Sequence, residues 1–418
     1  MNVFLLILRW LVRHRLIEFL SKFNAYSLVS KIAIYSITKI DNNSKYNVIC
    51  IERPIFDEEI QEISKNSGRV NYVLIPKIIF ISIFQSYFHR KKFDHVNYHH
   101  DKSLRKEKEK YKKFLENFLN CLLSEIRVDA FMSANYVYSW QQELADICLE
   151  RDIPFIILHK EGITSPSQYK NLVKTYTNGK FKASKMLLYN DSIREALLEA
   201  DIEGISSENL VTIGVPRFDK YFSIDKQGND IVFFSFFMED KLRHTNISEK
   251  IKIELLQKSI NFHIEIMKLA IKMKNINVTI KTKSGDKYLN YVMNIAKNNG
   301  FTNLKNLRII NTGTPYDLIK DSFLVGGLNS SVLIEAMISR RQIFMPDFKT
   351  NCFEDYFVNN ESLVNYVESS EDIIECINNF SAEDNEMQIH KSFLEKYIST
   401  PDGKSSIRFE NEMILLFK

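Results

Sequence analysis

The sequence predicts an α/β protein built as two parallel-sheet domains. A chain of 418 residues exceeds one ordinary hydrophobic core. Short apolar runs of strand length alternate with helical periodicity from Asn47 onward, the arrangement that gives βαβ units and parallel sheets. The alternation breaks after the turn Gly214-Val215-Pro216-Arg217-Phe218-Asp219, where the polar linker 223–229 divides residues 1–222 from residues 230–390.

In chain order, residues 1–23 (MNVFLLILRWLVRHRLIEFLSKF) are apolar at first sight. Arg9, Arg13, His14 and Arg15 interrupt them too early for a secretory signal, no small-residue cleavage site follows, and the ~20 uncharged residues that span a bilayer are missing. They read as an amphipathic helix with Phe4, Leu5, Ile7, Leu8, Leu11 and Val12 on its apolar side, either packed on the protein's own core or laid on a membrane surface. NVICI at 47–51 predicts the first strand, with further buried elements at 70–75 and 78–84. The charge run leading into LENFLNCLLSEI at 101–126 suits one long helix with a solvated first half. A strand at 128–135, a helix at 140–151 and a strand at 154–162 follow. Residues 163–182 read as a long polar loop. A strand at 185–190, a helix at 192–200 and a strand at 211–213 lead to the turn at 214–219, where Pro216 ends regular structure.

The second domain opens with the strand DIVFFSFF at 230–237, a helix at 248–274 and the strand NVTIKTK at 277–283. A strand at 307–313 and a short helix at 315–320 precede FLVGGLNSSVLIEAMISRRQIFMPDF at 323–348. That stretch reads as a strand, a turn on Gly326, Gly327 and Asn329, a helix led by Ser330 and Ser331, and a fifth strand closed by Pro346. The tail 391–418 carries DGKSSIR ahead of a last helix.

Composition narrows the function classes. Hydrophobic content of 45% with 12% aromatics argues for packed cores and against disordered bulk. The net charge of +4 is small, and the basic clusters at 9–15, 89–92 and 105–113 lack the aromatic and arginine-rich setting of a nucleic-acid module. An anionic membrane surface or glycan fits them better than nucleic acid. Cys50, Cys121, Cys148, Cys352 and Cys376 are scattered and odd in number, as reduced thiols of a cytosolic protein are. No histidine or cysteine spacing suggests a metal, and neither a P-loop nor a G-x-S-x-G elbow occurs.

The clearest chemistry lies in the 323–348 stretch. Glycines let a ligand approach the backbone, and Ser330 and Ser331 sit where a helix's unpaired N–H groups favour phosphate. Glu335, about one turn on, lies within reach of ribose hydroxyls, and Lys281 and Lys283 at a neighbouring strand end can neutralise phosphate. A plain strand-to-helix connection with a serine cap is the alternative. In the first domain Ser133, Asn135, His159 and Glu161 fall beyond strand ends, where open α/β sheets bind ligands.

The GGxNSSxxxEA, GxPRFD and DGKSSxR segments together resemble GT-B glycosyltransferases of bacterial surface-polysaccharide assembly. The resemblance implies two Rossmann-like domains facing across a cleft, with the C-terminal helix crossing back to the first domain. It implies a cytoplasmic enzyme at the inner face of the membrane, metal-independent in keeping with the missing D-x-D triplet. No separate cofactor is expected. A nucleotide-sugar donor would be held by Gly327, Asn329, Ser330, Ser331, Glu335, Lys281, Lys283 and Arg217, with Ser133, Asn135 and His159 on the acceptor side. Asp240 and Glu161 each follow an apolar strand, one per domain, and are similar in position to the nucleophile and acid/base of retaining β-Kdo transferases. That match implies CMP-Kdo as donor and a lipid-linked glycan as acceptor. Read without the resemblance, the two carboxylates are equally loop charges or helix caps. Two alternatives stay open: a CDP-glycerol or polyol-phosphate transferase, for which His159 and His244 would serve, and a GT-B transferase using another nucleotide sugar. A binding protein on a decayed transferase scaffold is a third.

Overall fold

The computed structural model of the protein describes residues 15–417 except 40–43, 53, 90, 92, 94–96, 161, 164–165, 175–178, 226–227, 244, 246, 351–356, 358–360 and 379–385. The expectations for residues 1–14, Glu161, His244 and Cys352 lie outside the described residues. The chain forms two compact units, Met1–Asp219 with Lys396–Lys418, and Lys220–Glu395.

The first unit holds a seven-stranded sheet of β1 (Thr38–Lys39), β2 (Tyr46–Glu52), β3 (Val70–Pro76), β4 (Ala130–Ser133), β5 (Phe155–Leu158), β6 (Lys185–Leu188) and β7 (Leu210–Thr212), in the order β1-β3-β2-β4-β5-β6-β7. Only the short edge strand β1 runs antiparallel, against β3. The central strands AFMS (β4) and FIIL (β5) are buried at every position, because a parallel sheet is covered on both faces. The charged run folds as expected into a helix, Arg105–Leu123, whose buried residues Tyr111, Phe114, Leu115, Phe118 and Leu122 follow a three-and-four spacing.

Two expectations for this unit need correction. Residues 163–182 are not a loop throughout, since Pro166–Lys174 is a helix. Its apolar signal is short, Tyr169, Leu172 and Val173 at three-and-four spacing with Tyr169 and Val173 buried, and Pro166 suits a first helical position. Pro216 does not end regular structure either. It opens the 3-10 helix Pro216–Ser223, since its fixed φ is already helical.

The last helix, Ser405–Leu416, belongs to the first unit and is tied there by polar contacts. Asp219 accepts from the backbone N–H groups of Ser405 (3.0 Å) and Ser406 (2.7 Å), capping a helix whose own N-cap residue, Lys404, makes no side-chain cap. Arg408 Nε donates to Ile213 O at 2.8 Å, and Glu410 accepts from Ser67 Oγ at 2.7 Å. Gly214, at φ 88°, lies so close that a Cβ there would meet Ser405 Oγ at 2.5 Å. The GxPRFD and DGKSSxR segments thus form one joint.

The second unit holds six parallel strands, β8 (Asp230–Phe234), β9 (Val278–Lys281), β10 (Leu307–Ile310), β11 (Ser322–Gly326), β12 (Gln342–Pro346) and β13 (Asn365–Val367), in the order β10-β9-β8-β11-β12-β13. The sequence predicts five; β13, with three residues, is too short for a readable pattern. Strand β8 stops three residues earlier than its apolar run, so Asp240 sits on a one-turn helix, Met238–Leu242, rather than directly at a strand end. The chain builds outward from β8 to β10, then reverses and restarts at β11. The gap between the carboxyl ends of β8 and β11 is the switch point at which such sheets bind ligands.

Candidate functional site

The described residues that converge at this switch point come from the ends of β8, β9 and β11. At β11 the first glycine is dictated by packing, since a Cβ on Gly326 would enter the Phe344 ring at 2.1 Å. Gly327 is buried as well, but a Cβ there would make only ordinary contacts, 3.6 Å from Leu333 and 3.7 Å from Phe234 O, so packing does not demand a glycine. Asn329 takes the left-handed conformation (φ 42°) that turns the chain into the helix Ser331–Ile338. Ser330 stands at the cap position with extended backbone and makes no side-chain cap bond, which leaves first-turn N–H groups for another acceptor.

Glu335 is 6% exposed; it accepts from the Tyr221 hydroxyl at 2.5 Å and from Ser331 Oγ at 3.4 Å. Tyr221 in turn meets Tyr316 edge to face, with ring centres 5.4 Å apart and the Lys220 ammonium over both rings. Lys241 Nζ donates to Asn329 O at 3.2 Å, joining the Met238–Leu242 helix to the glycine turn. Burial and the nearby Lys283 charge push its pKa down, so it would gain from an anion beside it.

Asp240 accepts from the Tyr288 hydroxyl (2.8 Å) and from Arg243 (3.0 Å), with Lys287 Nζ 3.9 Å away. The Tyr288 bond first, then the Lys287, Arg243 and Lys283 charges, hold its carboxyl below the usual range, so it is ionised at neutral pH. Lys283 lies 5.7 Å from the Tyr288 ring centre and borders a crevice too narrow to admit water, with Ser235, Phe237, Thr282 and Tyr288. Lys281 ends β9 with its ammonium on the carbonyls of Thr282 (2.7 Å) and Asn311 (3.2 Å).

The switch point therefore gathers Asp240, Lys283, Gly327, Asn329, Ser330, Ser331 and Glu335, whereas Lys281 is committed to backbone carbonyls. Arg217 belongs to the first unit, where it pairs with the fully buried Glu59 and its N–H donates to Glu59 Oε2 at 2.8 Å. Ser133, Asn135 and His159 come together at the ends of β4 and β5, all buried. Ser133 donates to Gln141 Oε1 at 2.6 Å, Asn135 Oδ1 accepts from Val137 N at 3.2 Å, and His159 Nε2 lies 2.9 Å from the Tyr169 hydroxyl. Lys241, Tyr288 and Tyr221 do not emerge from sequence reasoning. Each is an ordinary surface residue type in its own segment and gains meaning only from a partner on another element.

Among the described residues no group of three or more His, Cys, Asp or Glu is placed to hold a metal ion, and no helix is long and apolar enough to cross a membrane. Cys50, Cys121, Cys148 and Cys376 are free thiols.

No protein-family model matches the sequence, and no curated protein does. Solved structures match the fold. A UDP-GlcNAc 2-epimerase from Methanocaldococcus jannaschii superposes with a TM-score of 0.52 at 12% identity, over 88% of this chain and 99% of that one. A second structure titled UDP-N-acetylglucosamine 2-epimerase superposes with a TM-score of 0.51 at 11% identity, over 90% and 96%. At such identities the likeness is one of fold. Two Rossmann-like parallel sheets with flanking helices make the chain a GT-B fold.

Proposed function

We propose that the protein is a nucleotide-sugar enzyme, and within that class a glycosyltransferase. The observation that carries this is the convergence, at the switch point between β8 and β11, of an open helix start at Ser330, a desolvated cation at Lys241 and an ionised carboxylate at Asp240. The first two suit a diphosphate or phosphodiester, and Glu335 one turn along the helix suits a ribose. In a retaining transfer Asp240 would attack the anomeric carbon as the bond to the nucleotide phosphate breaks. The acceptor hydroxyl would then displace Asp240 while losing its proton to Glu161 as acid/base. Two inversions restore the starting configuration.

The finer reading is a β-Kdo transfer from CMP-Kdo to a lipid-linked glycan, which rests on the likeness of Asp240 and Glu161 to the acidic pair of that family. A UDP-sugar is the second reading, favoured by the names of the structural neighbours. Thermal-shift titration with CMP, CDP, UDP and GDP in the absence of divalent metal separates the two, since a ligand at 100-fold its Kd stabilises by about 2.7 kcal/mol. Selective stabilisation by CMP supports the Kdo reading and selective stabilisation by UDP the other. Response to none of the four sinks both. For mechanism, Asp240→Ala should abolish transfer while nucleotide binding persists. Glu161→Gln incubated with CMP-Kdo should accumulate a protein adduct that maps to Asp240 by mass spectrometry; an adduct elsewhere, or an inverted product, overturns the assignment.

A further inference from the structure

Two hydroxyls hold the Glu335 carboxylate, and they hold it unequally. Tyr221 donates to Oε2 at 2.5 Å, the length of a short bond to a carboxylate, whereas Ser331 Oγ lies 3.4 Å from Oε1, beyond the roughly 2.5–3.0 Å of an ordinary hydroxyl bond. The shorter bond is also the better braced. Tyr221 lies in the 3-10 helix Pro216–Ser223 and is 3% exposed, and its ring meets Tyr316 edge to face at 5.4 Å with the Lys220 ammonium over both rings. Ser331 is a half-buried residue of the first helical turn, and rotation about one side-chain bond turns its hydroxyl to another acceptor.

Glu335 is itself buried, so a ligand hydroxyl reaches its carboxylate by taking the place of one already there. Exchange at Oε1 gives up a long bond and gains a full one, and the displaced Ser331 hydroxyl stays at the helix start, where a phosphate oxygen can accept from it. Exchange at Oε2 gives up the short bond and strands a phenol hydroxyl in a buried place, a cost that offsets the new bond.

We infer that Tyr221 is a positioning residue that sets how Glu335 reads a ribose: Oε2 stays with Tyr221, and one ribose hydroxyl is held, at Oε1, in place of Ser331. The vicinal hydroxyls of a ribose can otherwise engage both oxygens of a carboxylate at once, and Tyr221 prevents that by keeping one of them. The inference rests on the nucleotide-sugar reading above and names how the ribose of that nucleotide is recognised.

Calorimetry on the full chain with whichever of CMP, CDP, UDP and GDP binds, and with the 2′-deoxy and 3′-deoxy forms of that nucleotide, tests it. In the wild type one deoxy form should bind about tenfold or more weakly than the parent, the worth of one hydrogen bond to a charged group, and the other should bind as the parent does. Tyr221→Phe keeps the ring against Tyr316 and removes only the hydroxyl, which opens Oε2 to the second ribose hydroxyl. In that variant both deoxy forms should bind about tenfold or more weakly than the parent, a change of pattern that loss of packing alone does not produce. Weakening of both deoxy forms in the wild type, weakening of neither, or the same pattern in wild type and Tyr221→Phe overturns the inference and leaves the functional reading intact. Binding of none of the four nucleotides overturns both.

Discussion

Replacing Asp219 by alanine should release the start of the C-terminal helix. Its carboxylate is buried and accepts from the N–H groups of both Ser405 and Ser406, 186 and 187 residues away in the chain. Lys404 cannot substitute as a cap, so Asp219→Ala leaves two helix-start donors unsatisfied where water has little access. Losing a helix cap costs about 0.5–2 kcal/mol, and hydrogen bonds to a charged group about 1.5–3 kcal/mol each. Because the two bonds share one carboxylate and the helix dipole, their sum is discounted to about 2–4 kcal/mol. In hydrogen exchange, where each 1.4 kcal/mol is tenfold, that predicts a fall in protection of the Ser405–Leu416 amides of roughly 30- to 1000-fold. Asp219→Asn keeps one acceptor oxygen and should lose about half the free energy. Unchanged exchange of these amides in Asp219→Ala would refute the capping argument, since the remaining contacts, among them those of Arg408, Glu410 and Glu412, would then suffice to hold the helix.

Three further outcomes are expected. Ser330→Ala with Ser331→Ala, or Glu335→Gln, should each weaken nucleotide binding by about 1.5–3 kcal/mol in calorimetry; unchanged affinity would reduce the glycine turn to a connection. Glu143, buried and accepting from Tyr98 at 2.8 Å, has its pKa pushed up by burial to about 7 from 4.5. A raised carboxyl contributes stability that is complete below about pH 4.5 and lost as pH rises through about 7, so Glu143→Gln should flatten urea stability between pH 5 and 8, with a relative gain of roughly 2–3 kcal/mol at pH 8; parallel pH profiles would exclude this. Finally, the rings of Phe19 (56% exposed) and Phe23 (70% exposed) lie 4.8 Å apart, tilted at 51°, on and just beyond the helix Leu16–Lys22. Phe19→Ser with Phe23→Ser should reduce sedimentation with anionic phosphatidylserine vesicles, and equal sedimentation of variant and wild type would remove these rings from any membrane contact.

Much of the architecture is written locally. Continuous apolar runs of strand length such as FIIL, and the 3.6-residue period of helices such as Arg105–Leu123, are each displayed by a single segment without its neighbours. The glycine turn before Ser330 is legible for the same reason, because a left-handed Asn329 and a serine at a helix start are local backbone chemistry. Elements with too little pattern stay hidden: β13 has three residues, and the helix Pro166–Lys174 has nine, with three apolar ones, Tyr169, Leu172 and Val173, in its last six. What folding alone establishes is partnership across long stretches of chain. Asp219 could cap any helix or none until the last segment packs on the first unit, and Glu335 acquires Tyr221, as Asn329 acquires Lys241, only when β8 and β11 lie side by side.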